Sequence, residues 1–144
     1  MKKRNIKDIE DTLLESHTDD RGTIVDLFYN ETIHHVARVT SKPGVIRGNH
    51  YHKETTQHML MTQGSLEYWY KRVDSDEPAQ MVLALAGDIV STPPNEIHAL
   101  KIGPEGNQFI VFSEGIRGGQ DYESDTFRVE DILLSSMGLL MQSL

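Results

Sequence analysis

The chain contains no cysteine, which excludes disulfides and thiolate metal sites, so a bound metal would have nitrogen and oxygen ligands. No apolar run is long enough to cross a bilayer. The basic start at residues 1–5 is followed by charged residues where a signal peptide needs an apolar stretch. No basic stripe is present either, because the formal net charge is -8 and the acidic residues are dispersed. These absences predict a cytoplasmic protein that binds neither membranes nor nucleic acid.

The length of 144 residues predicts a single domain over 1–144. Short runs of β-branched and aromatic residues, separated by turn residues, predict a β-barrel or sandwich core from about residue 22 to residue 112. The apolar spacing of residues 6–14 predicts a short N-terminal helix, and that of about 126–144 predicts a C-terminal helix. Both terminal helices carry apolar stripes that need cover, from the barrel itself or from a second copy, and a homodimer is the expected assembly.

A pair of histidines separated by one residue is the main candidate for a functional site. Successive side chains of an extended strand alternate between its faces, so His50 and His52 should point the same way. Alternation counted back from Gly64 places Gln57 on the face of these histidines and His58 on the opposite face. Further along, a Gly-Asp turn, a short apolar strand and a Pro-Pro-Asn turn predict a hairpin that carries His98.

The spacings G-x5-H-x-H-x4-Q-x6-G and G-x5-P-x4-H resemble the two motifs of the cupin superfamily. The resemblance implies an all-β, single-domain jelly-roll barrel with short terminal helices. It also implies a site inside the barrel or at its mouth, formed by His50, His52, Gln57 and His98. The chain departs from the family pattern in three places: Gln57 replaces the usual glutamate, Asn95 the usual glycine and Ile102 the usual asparagine.

The site residues allow two kinds of chemistry. Imidazoles without a carboxylate favour a divalent metal such as zinc, nickel, iron or manganese, held by His50, His52, Gln57 and His98, with no organic cofactor. Alternatively, His50 and His52 act as proton carriers, because imidazole takes and gives protons near neutral pH. The other histidines at positions 17, 34, 35 and 58 are expected to be solvated or hydrogen-bonded outside the site.

Residues around the histidine pair also resemble sugar-nucleotide enzymes. The stretches at 20–22 (DRG) and 47–50 (RGNH) resemble dTDP-4-dehydrorhamnose 3,5-epimerases, and 50–53 (HYHK) with Gln57 resembles the metal-independent 3,4-ketoisomerases. Residues 47–52 also resemble the start of the zinc-containing cupin domain of bifunctional capsular-polysaccharide reductases. These resemblances imply a nucleotide-linked 4-keto sugar as substrate, His50 as catalytic base and Arg47 as a phosphate-binding residue.

The leading hypothesis is therefore an epimerase or ketoisomerase that removes a proton beside a keto group, with a metal or a second histidine stabilising the oxyanion. The general acid is left open among Tyr68, Tyr70 and Tyr122. The alternatives are a cupin that binds a metal or small ligand without turnover, and an iron-dependent dioxygenase. Metal content distinguishes them: iron favours the dioxygenase, zinc or nickel a binding or isomerase role, and no metal a ketoisomerase.

Overall fold

The computed structural model describes residues 1–8, 13–115 and 123–133. Their regular structure is almost entirely β, and every strand pairing is antiparallel, which confirms the predicted all-β class. The strands are β1 (Lys2–Asn5), β2 (Ser16–Asp19), β3 (Gly22–Val25), β4 (His35–Ser41), β5 (Ile46–Tyr51), β6 (Thr56–Arg72), β7 (Gln80–Leu85), β8 (Asp88–Thr92), β9 (Glu96–Glu114) and β10 (Phe127–Arg128).

Two long strands, β6 and β9, build the jelly roll because each contributes to both halves of the main sheet. In the first half, the start of β6 lies between β8 and the end of β9, with β1 and β4 outside them. In the second half, the end of β6 lies between β7 and the start of β9, followed by β5 and β10. Apolar side chains from both halves pack against one another, among them Met61, Tyr68 and Phe109. The hairpin of β2 and β3 forms a separate two-stranded sheet.

Several local expectations differ from the structure. Residues 103–106, with two glycines and a proline, are among the turn residues expected to separate strands, but they do not end β9. They bulge out of the strand, and its pairing with β6 continues on either side. Residues 6–8 and 13–14 are not helical, and residues 9–12 of the predicted N-terminal helix lie outside the described residues. At the other end, β10 occupies the start of the predicted C-terminal helix. Only residues 132–133 are helical there, and 134–144 lie outside the described residues.

A β-bulge in β5 sets which side chains face the barrel interior. Arg47 pairs with Leu100 and His50 pairs with His98, and the register shifts between Gly48 and His50. Both bulge residues have positive φ, 90° at Gly48 and 57° at Asn49. On a regular strand, residues three apart point to opposite faces, whereas the extra residue places Arg47 and His50 on the same face.

The same bulge anchors the segment that follows residue 123. The backbone carbonyl of Asn49 accepts a hydrogen bond from the N–H of Val129 (2.9 Å), and its Oδ1 accepts one from the N–H of Ile132 (3.0 Å). Ile132 and Leu133 are buried against the outer face of the second half-sheet, next to Ala99. This part of the C-terminal apolar stripe therefore covers its own barrel. Within the described ranges, no helix has the length and apolar character needed to cross a membrane.

Replacing Gly48 by alanine is expected to destabilise the protein by about 2–5 kcal/mol, because strain at positive φ adds to overpacking. A Cβ at this position would lie 2.7 Å from the carbonyl oxygen of His98. Gly44→Ala is the matched control, since Gly44 also has positive φ but its Cβ would meet nothing within 4 Å. Urea unfolding measures both variants. Equal losses of stability would contradict the role of the bulge in close packing.

Candidate functional site

Three histidines meet inside the barrel where β5 and β9 run side by side. His50 pairs directly with His98 across the ladder, and His52 follows just after the end of β5. One ring nitrogen from each of the three lies within 4.8 Å of the others, and all three residues are buried. The ring centroids are 4.7 Å apart for His50 and His98, 4.9 Å for His50 and His52, and 5.5 Å for His52 and His98.

Backbone carbonyls fix the orientation of two of these rings. The Nδ1 of His52 lies 2.7 Å from the carbonyl oxygen of Asp125, and the Nδ1 of His98 lies 3.1 Å from that of Glu96. Because a carbonyl oxygen only accepts, each Nδ1 carries the proton, and in the neutral ring Nε2 keeps its lone pair. Donation from the second ring nitrogen to a carbonyl is the usual arrangement for histidines that ligate metals.

Burial and mutual proximity keep His50 and His98 uncharged. Burial first, and then the charges of His98, His52 and Arg128, lowers the pKa of His50 from 6.5 to about 3. Burial also lowers the pKa of His98 to about 4, although its hydrogen bond to the Glu96 carbonyl acts in the opposite direction. At neutral pH both imidazoles are therefore neutral, which is the form that binds a metal ion.

The structure places Gln57 and His58 on opposite sides of the first half-sheet. Gln57 lines the same cavity as His50 and His98. His58 faces away from it, since its Nδ1 lies 2.7 Å from the Oγ of Ser91 and its ring is 5.0 Å from that of Phe28. Both side chains therefore lie on the predicted faces, although the register of β6 shifts between Met61 and Gln63, so the alternation is regular only up to Met61.

A cavity of about 510 Å³ opens in front of the cluster, between the two halves of the sheet. Arg47 lies on its wall and is exposed, with Nε donating to the Oγ of Ser41 (2.8 Å) and a terminal nitrogen to the carbonyl of Thr40 (3.0 Å). Arg128 is a second arginine on the wall, and the other lining residues are His35, Val39, Ile46, Gly48, His50, Gln57, Met59, His98, Leu100, Phe109, Val111 and Ser113. The cavity thus joins the cluster to a cationic side chain at its mouth.

None of the candidate acids is placed in this cavity by the structure. Tyr68 is fully buried, and its hydroxyl donates to Glu96 (3.0 Å) and lies 2.6 Å from the hydroxyl of Thr92. Burial, followed by the charge of Glu96, raises the pKa of Tyr68 well above its usual value, which disfavours a role in proton transfer. Tyr70 donates its hydroxyl to Gln80, and Tyr122 lies outside the described residues.

Asp125 is a positioning residue that the sequence analysis missed. Besides the carbonyl that holds His52, its carboxylate accepts hydrogen bonds from the N–H groups of Lys53, Glu54 and Thr55 and from the Thr55 hydroxyl, at 2.7–3.1 Å. Burial alone raises the pKa of Asp125, but these hydrogen bonds outweigh it, so the pKa lies below its ordinary value. Asp125 is separated from Thr55 by 70 positions in the chain, and no local pattern signals such a contact.

Two cavity residues were also missed. His35, expected to lie outside the site, lines the cavity from β4, and Arg128 lines it from β10. His35 belongs to the half-buried set that alternates with exposed residues along β4, but the sequence of this strand, HVARVTS, does not show the alternation. Arg128 carried no signal either, because its region was predicted to be helical.

The antiparallel jelly roll with three histidines inside it is the cupin fold that the two sequence motifs imply. The chain belongs to the polysaccharide biosynthesis C-terminal domain family, whose model matches residues 17–124. A UDP-2-acetamido-2,6-beta-L-arabino-hexul-4-ose reductase from Pseudomonas aeruginosa is 32% identical over 57 residues, which are 40% of this chain and 15% of the reductase.

Solved structures share the fold. A 3,4-ketoisomerase from Helicobacter canadensis superposes with a TM-score of 0.69 at 19% identity, covering 94% of this chain and 96% of the ketoisomerase. The capsular polysaccharide assembling protein CapF from Staphylococcus aureus gives 0.59 at 24% identity, covering 84% and 34%. A dTDP-4-dehydrorhamnose 3,5-epimerase from Sulfolobus tokodaii gives 0.56 at 21% identity, covering 69% and 66%. The chain thus spans about a third of CapF, and the predicted cupin resemblance is confirmed.

Removing the Asp125 side chain should both destabilise the protein and loosen the cluster. Asp125→Ala leaves buried N–H donors without an acceptor, so we expect a loss of about 2–4 kcal/mol in the free energy of unfolding. The carboxylate anchors the segment whose backbone carbonyl orients His52, so without it that carbonyl is less firmly placed and zinc affinity should fall roughly 10- to 100-fold. The matched control is Asp74→Ala, since Asp74 forms only an exposed ion pair with Arg72. Urea unfolding and zinc titration measure the two effects; unchanged zinc affinity in a folded Asp125→Ala variant would contradict the positioning role.

Proposed function

We propose that the protein is an isomerase or epimerase acting on a nucleotide-linked keto sugar, with a divalent metal ion held by His50, His52 and His98. The observation that carries the proposal is a buried cluster of three converging imidazoles facing a cavity with an arginine at its mouth. The shared fold of sugar-nucleotide epimerases and ketoisomerases supports the substrate class.

The donor set fits a metal ion. Three converging ring nitrogens, two of them oriented by carbonyls, suit zinc, nickel or iron, and Gln57 adds an amide oxygen on the cavity side. When bound, such an ion supplies a Lewis acid that polarises a carbonyl group. The chain's own contribution is to keep the ligands neutral and in place, and to enclose the reacting part of the sugar between the two halves of the sheet.

We assign to His50 the role of a metal ligand rather than that of the base. An imidazole that gives its lone pair to a metal cannot take up a proton with it, and a pKa of about 3 makes a weak base at neutral pH. His35 lines the opposite wall of the cavity from β4 and lies outside the cluster. We assign to His35 the removal of the proton from the carbon beside the keto group. Return of this proton to the adjacent oxygen and carbon gives ketoisomerisation, whereas epimerisation needs a second proton donor on the opposite face of the sugar.

Arg47 is the proposed phosphate contact. Its guanidinium is exposed at the mouth, and its bonds to Ser41 and to the Thr40 carbonyl hold the head group without neutralising it. A guanidinium presented in this way can donate to two phosphate oxygens at once. The nucleotide would therefore lie at the mouth and the sugar inside.

A cupin that binds a metal or small ligand without turnover is the second candidate. It is favoured by Gln57, because the amide replaces the carboxylate usual at this motif position and offers no group for acid–base chemistry. An iron-dependent dioxygenase would use the same three histidines, and finding iron in the purified protein would favour it.

The single-domain organisation and the homodimer also stay proposals. Dimer formation is supported by an apolar stripe on β7, where Met81, Leu83 and Leu85 alternate along the strand and are 44–50% exposed. Among the described strands, β7 pairs only with β6, so its other edge is available to a second copy.

The test follows hydrogen exchange at the sugar. The protein is incubated with dTDP- and UDP-linked 4-keto-6-deoxy sugars in deuterated water, and NMR follows the wash-in of deuterium. His50→Ala and His35→Gln should each reduce exchange at least about 100-fold, the first by loss of the metal and the second by loss of the base. Arg47→Ala should chiefly weaken substrate binding.

His34→Gln is the matched control, because His34 is the neighbouring imidazole and its Nδ1 accepts from the N–H of Gly115 instead of lining the cavity. It should exchange as fast as the wild type. No exchange with either nucleotide sugar, in protein loaded with zinc, nickel or iron, would contradict the isomerase and leave the binding cupin.

A further inference from the structure

Arg128 stands next to the histidine cluster in the strand register. On β10 it pairs directly with His50 of β5, and His50 pairs directly with His98 of β9. Directly opposed residues of an antiparallel pair share a face of the sheet. Arg128 therefore extends the row of cluster side chains across the cavity wall, in agreement with its place among the lining residues.

The charge of the cavity wall contrasts with that of the protein. The whole chain carries a formal net charge of -8, yet the cavity-lining side chains of the described ranges include two arginines and no carboxylate. An anionic ligand is the chemical complement of such a wall.

The present partner of Arg128 is one that a ligand can displace. Its guanidinium lies 2.7 Å from an Oε1 oxygen of Glu123, and the side chains of both residues are more than half exposed. Exposed ion pairs of this kind contribute little to stability. Glu123 therefore orients the guanidinium but leaves it able to exchange this carboxylate for an anionic ligand.

The spacing of Arg128 and Arg47 suits a ligand with two adjacent anionic groups. Arg47 lies three positions before His50 on β5, and Arg128 lies opposite His50 on the neighbouring strand. From the strand rise and spacing, their Cα atoms are roughly 10 Å apart. Two side chains of this length can reach a common ligand across that distance.

We propose that Arg128 is a second substrate-binding cation which, together with Arg47, recognises the diphosphate of a nucleotide-linked substrate. The proposal rests on the proposed function for the sugar, but it concerns binding alone. Each guanidinium donates to the oxygens of one phosphate, so a nucleoside diphosphate should bind more tightly than the corresponding monophosphate.

Isothermal titration calorimetry of dTDP, UDP and their monophosphates tests this on the full chain. Arg128→Ala should raise the Kd for both diphosphates about 10-fold or more and should reduce the preference for diphosphate over monophosphate. Arg128→Lys, which keeps the charge but not the planar fork, should fall between that variant and the wild type. Glu123→Gln removes the competing carboxylate and should bind diphosphates at least as tightly as the wild type.

Arg38→Ala is the control for loss of one positive charge, because Arg38 is exposed on β4 and is not a cavity-lining residue. It should bind like the wild type. Unchanged diphosphate affinity in a folded Arg128→Ala variant would overturn the inference, as would a wild type that binds neither nucleotide at millimolar concentration. Nucleotide binding that is sensitive to Arg128, without deuterium exchange in the sugar, would support this inference and contradict the isomerase.

Discussion

The β-bulge at Gly48 and Asn49 is the local constraint on which the site depends. It turns Arg47 and His50 to the same face of β5, and it lets His50 pair with His98. Through its backbone carbonyl and its side chain, Asn49 also holds the segment that brings β10 against β5. One extra residue in a strand therefore sets the positions of the cluster, the mouth arginine and the segment that supplies Asp125 and Arg128. Bulges are frequent next to active sites because they redirect side chains in this way.

Electrostatics explains why the cluster suits a metal better than a proton shuttle. Three imidazoles packed within one shell and removed from water disfavour protonation, and the pKa values of His50 and His98 fall to about 3 and about 4. As pH falls from the unfolded value near 6.5 through these folded values, the unfolded chain binds more protons than the folded one, so the metal-free protein loses stability. A divalent ion would be coordinated by the lone pairs of neutral imidazole nitrogens, so the rings can bind it without being protonated.

Short-range patterns predicted a β-barrel or sandwich, whereas the jelly roll and the grouping of His98 with the other site residues came from the resemblance to the cupin motifs. Alternation along a strand was sufficient for His50 and His52, since the bulge lies before His50 and not between the two histidines. Gln57 lies on the predicted face, although the count from Gly64 crosses a register shift after Met61. The same rule applied to Arg47 would have turned it away from His50. The bulge places Arg47 beside the histidines, and a bulge can be identified only from the pairing of β5 with its partner strand β9.

The parts that were not predicted depend on contacts between distant positions. Residues from 126 onward have helical apolar spacing, yet Phe127 and Arg128 form a strand because β5 offers them an unpaired edge. Asp125 and Arg128 reach the site only through that pairing. His35 has no distinguishing sequence pattern, and it lines the cavity only because the two halves of the sheet face each other. A single sequence contains no signal for such pairings, although it contains the residues that make them.

Metal content of the purified protein tests the central claim most directly. Elemental mass spectrometry after incubation with zinc, nickel or ferrous iron and removal of the excess should find about one ion per chain. His50→Ala should lose it, whereas His58→Ala, which removes an imidazole on the other face of the same sheet, should keep it. A folded wild type that retains no divalent ion, or equal metal loss in both variants, would contradict the account.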